Sequence, residues 1–266
     1  MNWFISPEEP VICSCYWTIE LLEVCFLKAD VNITEMQSNY YQNTLYPLQD
    51  KVFRLLACLP VDFYITGGTA LSRAYLNHRY SDDLDFFLNG SDSFKIQAET
   101  VVKNLPRLGL RFEILLTDEG FLRLVVYDNS ISLKLDFVND VPFRSGVPVS
   151  TKIYHLTDTP ENILSNKISA LSRLAVKDLV DIVFICGIFS FKWTEVISEA
   201  FQKDMWVNPV QVAKILDDFP IVKLNEINWI NEPPSHQWFK SQLEIIIRDV
   251  LQGNQNSIYK PGQSEK

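Results

Sequence analysis

Residues 65–87 read ITGGTALSRAYLNHRYSDDLDFF, and this stretch restricts the fold more than any other part of the chain. The run Val61–Thr66 has strand character and stops at Gly67-Gly68. A short helical pattern follows from Ala70 to Asn77, and Leu84 to Leu88 returns to strand alternation. Strand, glycine turn, helix and strand in so short a space predict an α/β (α+β) domain. Residues two apart on a strand share a face. Asp83 and Asp85 therefore project together with Phe87, while Leu84 and Phe86 go to the other side. Two carboxylates ~7 Å apart repel by ~2 kcal/mol at an effective dielectric of ~20. A divalent cation offsets that repulsion, and all-oxygen ligands favour Mg2+ or Mn2+ over zinc.

A third carboxylate is available. In Leu133–Val138 the residues alternate, with Lys134, Asp136 and Val138 on one face. If this strand lies beside that of Asp83, Asp136 completes a three-carboxylate metal site, and two metals there could grip a triphosphate and activate an attacking hydroxyl. Glycine at 67 and 68 lets backbone approach a ligand closely, and the first helical amides favour phosphate. The turn is neither a Walker A loop nor GxGxxG. Phosphates at the turn and metal at the DxD together describe nucleotidyl transfer.

The rest of the chain is read around this centre. Residues 1–35 hold three of the five cysteines and form an N-terminal extension; Met36 is a candidate start, which peptides from 1–35 in the natural protein would rule out. Residues 36–150 form the α/β domain. Leu45, Leu48, Val52, Leu55 and Leu56 share one side of an opening helix, and Phe94–Asn104 is a further helix. Strands at 111–117, 121–127 and 132–138, with turns at Glu119-Gly120 and Asp128-Asn129, predict a meander. Residues 151–252 read as a helical domain, with helices from Pro160 to about Ala175, Asp178 to Ile188 and Gln237 to Leu251, the last capped by Ser235. Residues 253–266 read as a polar disordered tail. The cysteine spacing fits neither a disulfide framework nor a zinc site. The apolar stretch 11–27 carries Glu20 and Glu23, so no membrane span is expected and the expected location is cytoplasmic.

ITGGTAL (65–71) and HRYSDDLDFF (78–87) resemble the AbiEii/AbiGii nucleotidyltransferase toxin family, within the DNA polymerase β-like nucleotidyltransferase superfamily. Lys167-Ile168-Ser169-Ala170-Leu171 and Lys177-Asp178-Leu179-Val180-Asp181 are similar to its later helical signature, with lysine at 177 where arginine is usual. The resemblance implies a polymerase β-like domain with a mixed sheet and a mostly helical C-terminal domain. It implies that Gly67, Gly68 and Thr69 contact nucleotide phosphates, that Asp83 and Asp85 bind magnesium, and that Asp136 is the third carboxylate. Lys167 would neutralise triphosphate charge, Asp178 would position or deprotonate the acceptor hydroxyl, and Lys177 and Asp181 would support it. On one continuous helix Lys167 and Asp178 would sit roughly 16 Å apart, so a bend near Leu174-Ala175 is needed.

Arg79 has two readings, a phosphate ligand or an ion-pair partner of Asp82, and His78 reads as packing or surface. Three functions compete. The first is transfer of an NMP from an NTP to an acceptor, with tRNA and a cognate antitoxin as the partners the resemblance implies. The net charge of −9 weighs against a large RNA footprint, although Lys152, Lys167, Arg173 and Lys177 could form a local patch. The second is the same chemistry on a cationic small molecule. The third is a catalytically silent nucleotide-binding module, which Asp136 buried away from Asp83 and Asp85 would favour.

Overall fold

A computed structural model describes residues 35–260; the cysteines at 13, 15 and 25 and the extension before residue 35 lie outside it. The chain divides into two units at Asn43/Thr44. In the first, residues 35–40 are helical. The parts expected as domains 36–150 and 151–252 form one compact unit from Thr44 onward.

That unit is built on one five-stranded sheet: β1 (Tyr64–Thr66), β2 (Leu84–Asn89), β3 (Arg111–Thr117), β4 (Phe121–Asp128) and β5 (Ile131–Asp140). The spatial order is β1-β2-β5-β4-β3. Only β2 and β5 run parallel; the other neighbours are antiparallel, so the sheet is mixed and the fold is α+β. The expected meander is β3-β4-β5, and Asn129 makes its second turn with φ +54°.

Alternation sorts the faces. Leu84, Phe86 and Leu88 of β2, and Leu133, Leu135 and Phe137 of β5, are buried on one face. Helices α1 (Tyr46–Ala57) and α3 (Phe94–Asn104) cover that face. Phe137 stacks on Phe86 with centroids 5.2 Å apart and meets Phe63 edge-on at 4.9 Å; Phe53 and Phe94 extend the cluster. Such pairs contribute beyond their buried area. The opposite face of β2 and β5 carries Asp85, Phe87 and Asp136.

Between β1 and β2 lies α2 (Gly67–Ala70), which continues as a wider helical turn through Leu76. The helical half comprises α4 (Pro160–Ser169), α5 (Val176–Ile185), α6 (Trp193–Lys203), α7 (Pro209–Asp217) and α8 (His236–Gln252). Ser235 caps α8 by accepting from the Trp238 amide. The helix expected to reach Ala175 ends at Ser169: one tight turn, Leu171–Arg173, follows, and Leu174 adopts φ +54°. No Gly or Pro marks this break; the ion pairs described below hold it.

Residues 253–260, expected in a disordered tail, include a segment packed on the helices. Asn254 accepts from the Trp193 amide, and the buried Asn256 side chain donates to the carbonyls of Cys186 and Phe189. Its polar side chains satisfy backbone groups that would otherwise be buried without partners. No helix of the described residues is long and apolar enough to cross a membrane. Phe137→Ala should lower unfolding free energy by ~3–5 kcal/mol, measured by denaturant titration, because the hole lies among rigid rings.

Candidate active site

The glycine turn and β2 meet at close range. Gly67 has φ +69°, and a Cβ there would lie 2.7 Å from Asp85 Oδ2. A Cβ on Gly68 would lie 2.5 Å from Arg79 Nη2. Both glycines therefore make room for charged side chains of this chain. Thr69 is buried; its hydroxyl bonds Ser81 Oγ and the Asp83 carbonyl and so braces the approach to β2.

Parallel pairing of β2 with β5 puts Asp85 directly opposite Asp136. Asp136 is buried and receives a bidentate bond from Arg123 of β4, both contacts 2.7 Å. Asp83 is drawn to Lys134, 2.7 Å away, and the same ammonium lies 4.0 Å from Asp136. The Asp85 carboxylate takes no hydrogen bond or ion pair among the described residues. Strand neighbours ~5 Å apart with like charge repel by ~3 kcal/mol at an effective dielectric of ~20. Burial, reinforced by the Asp136 charge, pushes the Asp85 carboxyl up to about 6. Among the described residues no group of three or more His, Cys, Asp or Glu side chains is set to hold a metal ion. The expected trio is on one side of the sheet, but two of its members are engaged with cations from β4 and β5.

A pocket of about 250 Å³ opens beside Asp85. Thr66, Gly67, Asp85 and Phe87 line its sheet side, and Lys167 and Arg173 line the helical side. The reversal at Leu174 brings Asp178 back onto Lys167: the two are 2.6 Å apart, where one straight helix would have separated them. Lys167 also lies 2.8 Å from Asp181, and Arg173 holds the other Asp178 oxygen. Lys177 points elsewhere, toward Asp82 at 3.7 Å. Lys152, proposed for a basic patch, has no part in this cluster.

Asp181 is fully buried and is the hub of the cluster. Arg79 donates to both its oxygens at 2.7 Å, and His78 Nε2 lies 2.9 Å from one of them. Of the two readings of Arg79, ion pairing is the one the structure displays, but the carboxylate it grips is Asp181, 102 residues away, rather than Asp82. Burial opposes ionising Asp181, yet the Arg79 and Lys167 charges outweigh it and hold the carboxyl well below its usual range. Burial lowers His78, which keeps it neutral. The sequence reading also missed Arg123, whose strand alternation with Leu122 and Leu124 places it on the carboxylate face.

A family model matches residues 54–229: AbiEii, nucleotidyl transferase AbiEii toxin, Type IV TA system. The chain belongs to the AbiEii nucleotidyltransferase toxin family. No curated protein matches it. Among solved structures it is similar to JHP933 from Helicobacter pylori, with 20% identity, TM-score 0.48, and 78% of this chain and 90% of that one covered. It is also similar to MenT4, a nucleotidyltransferase toxin from Mycobacterium tuberculosis H37Rv, with 15% identity, TM-score 0.49, and 78% and 82% covered.

Asp181→Asn should destabilise the protein by ~3–5 kcal/mol in denaturant titrations, because Arg79 and Lys167 are left buried without their counter-charge. Asp85→Asn should do the reverse. The folded-state value of about 6 lies above the unfolded value of 3.8, so the native state binds the extra proton between them. Stability from this group is present at low pH and is lost as pH rises toward and past 6. In chelator at pH 8 the Asn variant should melt a few degrees higher than wild type, with the gain disappearing below pH ~4. A gain that persists unchanged in acid would contradict the assignment.

Proposed function

We propose that this AbiEii-family nucleotidyltransferase transfers an NMP from an NTP to an acceptor hydroxyl, with release of pyrophosphate, in a reaction that depends on Mg2+ or Mn2+. The observation that carries this reading is the unpartnered Asp85 carboxylate, set against Gly67 on one side and Asp136 on the other, at the mouth of a pocket that also presents Lys167 and Arg173. The donor set fits a hard divalent cation: all candidate ligands are carboxylate oxygens, and one is free and costly to ionise alone. Asp85 and Asp136, with Asp83 once released from Lys134, would hold that cation. When bound it would supply positive charge to the triphosphate and to the attacking oxygen.

The chain's own residues supply the rest. Gly67, whose missing side chain lets Asp85 sit against the turn, lines the pocket where phosphate would approach the backbone. Lys167 and Arg173 bring positive charge to the pocket's helical side, and Asp178, which both of them grip, is the candidate to accept the acceptor's proton. Thr69 holds the backbone at Asp83 in place. The catalytically silent alternative would gain weight from an Asp136 buried away from Asp83 and Asp85; Asp136 is buried but pairs in register with Asp85.

We propose tRNA as acceptor, a cognate antitoxin as partner and the cytoplasm as the place of action, in keeping with the family. A second carboxylate on the pocket wall, Asp140, together with the net charge of −9, favours a cationic small molecule as the other acceptor class. Purified protein with Mg2+, each labelled NTP in turn and total bacterial tRNA should label tRNA with one or two of the nucleotides. An Asp83→Ala/Asp85→Ala variant should give no label. Label absent from tRNA in spite of bound NTP would move the acceptor to the second class; absence of NTP binding would overturn the transferase reading.

A further inference from the structure

We propose that Lys134 and Arg123 are resident counter-cations of the Asp83/Asp85/Asp136 cluster, and that a divalent cation enters only by displacing Lys134 from Asp83. The inference rests on the reading of these carboxylates as the cation-binding centre. It adds which residues set how tightly a cation is held.

Three carboxylates share this side of the sheet, and two side chains from neighbouring strands already neutralise two of them. Lys134 Nζ lies 2.7 Å from Asp83 and 4.0 Å from Asp136, so it sits between them. The Arg123 fork covers both oxygens of Asp136 at 2.7 Å. With all five groups ionised the cluster carries a net charge of one negative. Without Lys134 it would carry two.

The two cations are held differently. Asp136 is buried and its partner is a rigid bidentate fork, an arrangement that strongly favours staying in place. The Lys134–Asp83 contact is a single bond between side chains that are 35% and 43% exposed. Exposed single contacts of this kind are weak, and a lysine stem turns away easily. An ammonium and a divalent cation cannot share the same inward oxygen lone pairs. Asp85, free of partners, is the first contact for an arriving cation; Asp83 follows once Lys134 has left. Lys134 therefore both steadies the metal-free cluster and sets a threshold for metal.

The test is a titration of Mn2+ alone into the full chain, with free Mn2+ read by electron paramagnetic resonance and folding checked by circular dichroism. Lys134→Met should bind Mn2+ roughly tenfold more tightly than wild type, since one competing charge is gone. Lys134→Arg should keep wild-type affinity. If the Met variant fails to fold, Lys134→Gln replaces it. Unchanged or weaker binding in the folded variant, with binding abolished by Asp83→Asn/Asp85→Asn, would overturn the displacement and leave the metal centre standing. Binding that the double Asn variant does not alter would overturn the metal centre, and this proposal with it.

Discussion

The buried carboxylate of Asp181 is the contact on which the active region depends. It ties three segments together: the loop entering β2 through His78 and Arg79, helix α4 through Lys167, and its own helix α5. Burying charges costs several kcal/mol per ion, and the cost is recovered only with near-complete hydrogen bonding. Asp181 comes close to that, accepting from Arg79 twice and also facing His78 and Lys167. Its geometry then propagates. Arg79 has to lie under the glycine turn, which is why residue 68 can carry no side chain. The loop held by Arg79 delivers the chain into β2, and so sets where Asp83 and Asp85 emerge.

The sheet separates two kinds of chemistry by alternation. One face is a nest of aromatic rings around Phe86 and Phe137, closed by α1 and α3. The other holds carboxylates against guanidinium and ammonium groups. Close packing on the first face makes the backbone of β2 and β5 rigid, and this is what allows like charges to be kept opposite each other on the second. Asp85 is left the odd carboxylate out, without a partner and harder to ionise. An electrostatic deficit of this kind in a pocket is typical of sites built to receive a ligand.

The legible parts of the fold were those set by local pattern. Strands β3, β4 and β5 follow from alternation and their Gly or Asn turns, and α3 from its spacing and the proline at 106. Helix α4 was read too long because nothing in LSRLA forbids a helix; Leu174 enters the left-handed region without being Gly, Asn or Asp. Asn256 looked like part of a tail because polar composition does not show which carbonyls are waiting for a donor. The Asp181 partner of Arg79 was not legible because it lies far along the chain, and only helix orientation decides that Lys177 approaches Asp82.

By itself, the sequence determined the strand–glycine–helix–strand unit, the shared face of Asp83 and Asp85, and the family, because these depend on spacing over a few residues. Tertiary structure alone decided which charges meet. Parallel pairing in register put Asp136 beside Asp85, a left-handed residue folded Asp178 back onto Lys167, and burial made Asp181 the anchor for Arg79. Ion pairing is governed by distance through space and by access to water, and neither is written in the distance along the chain.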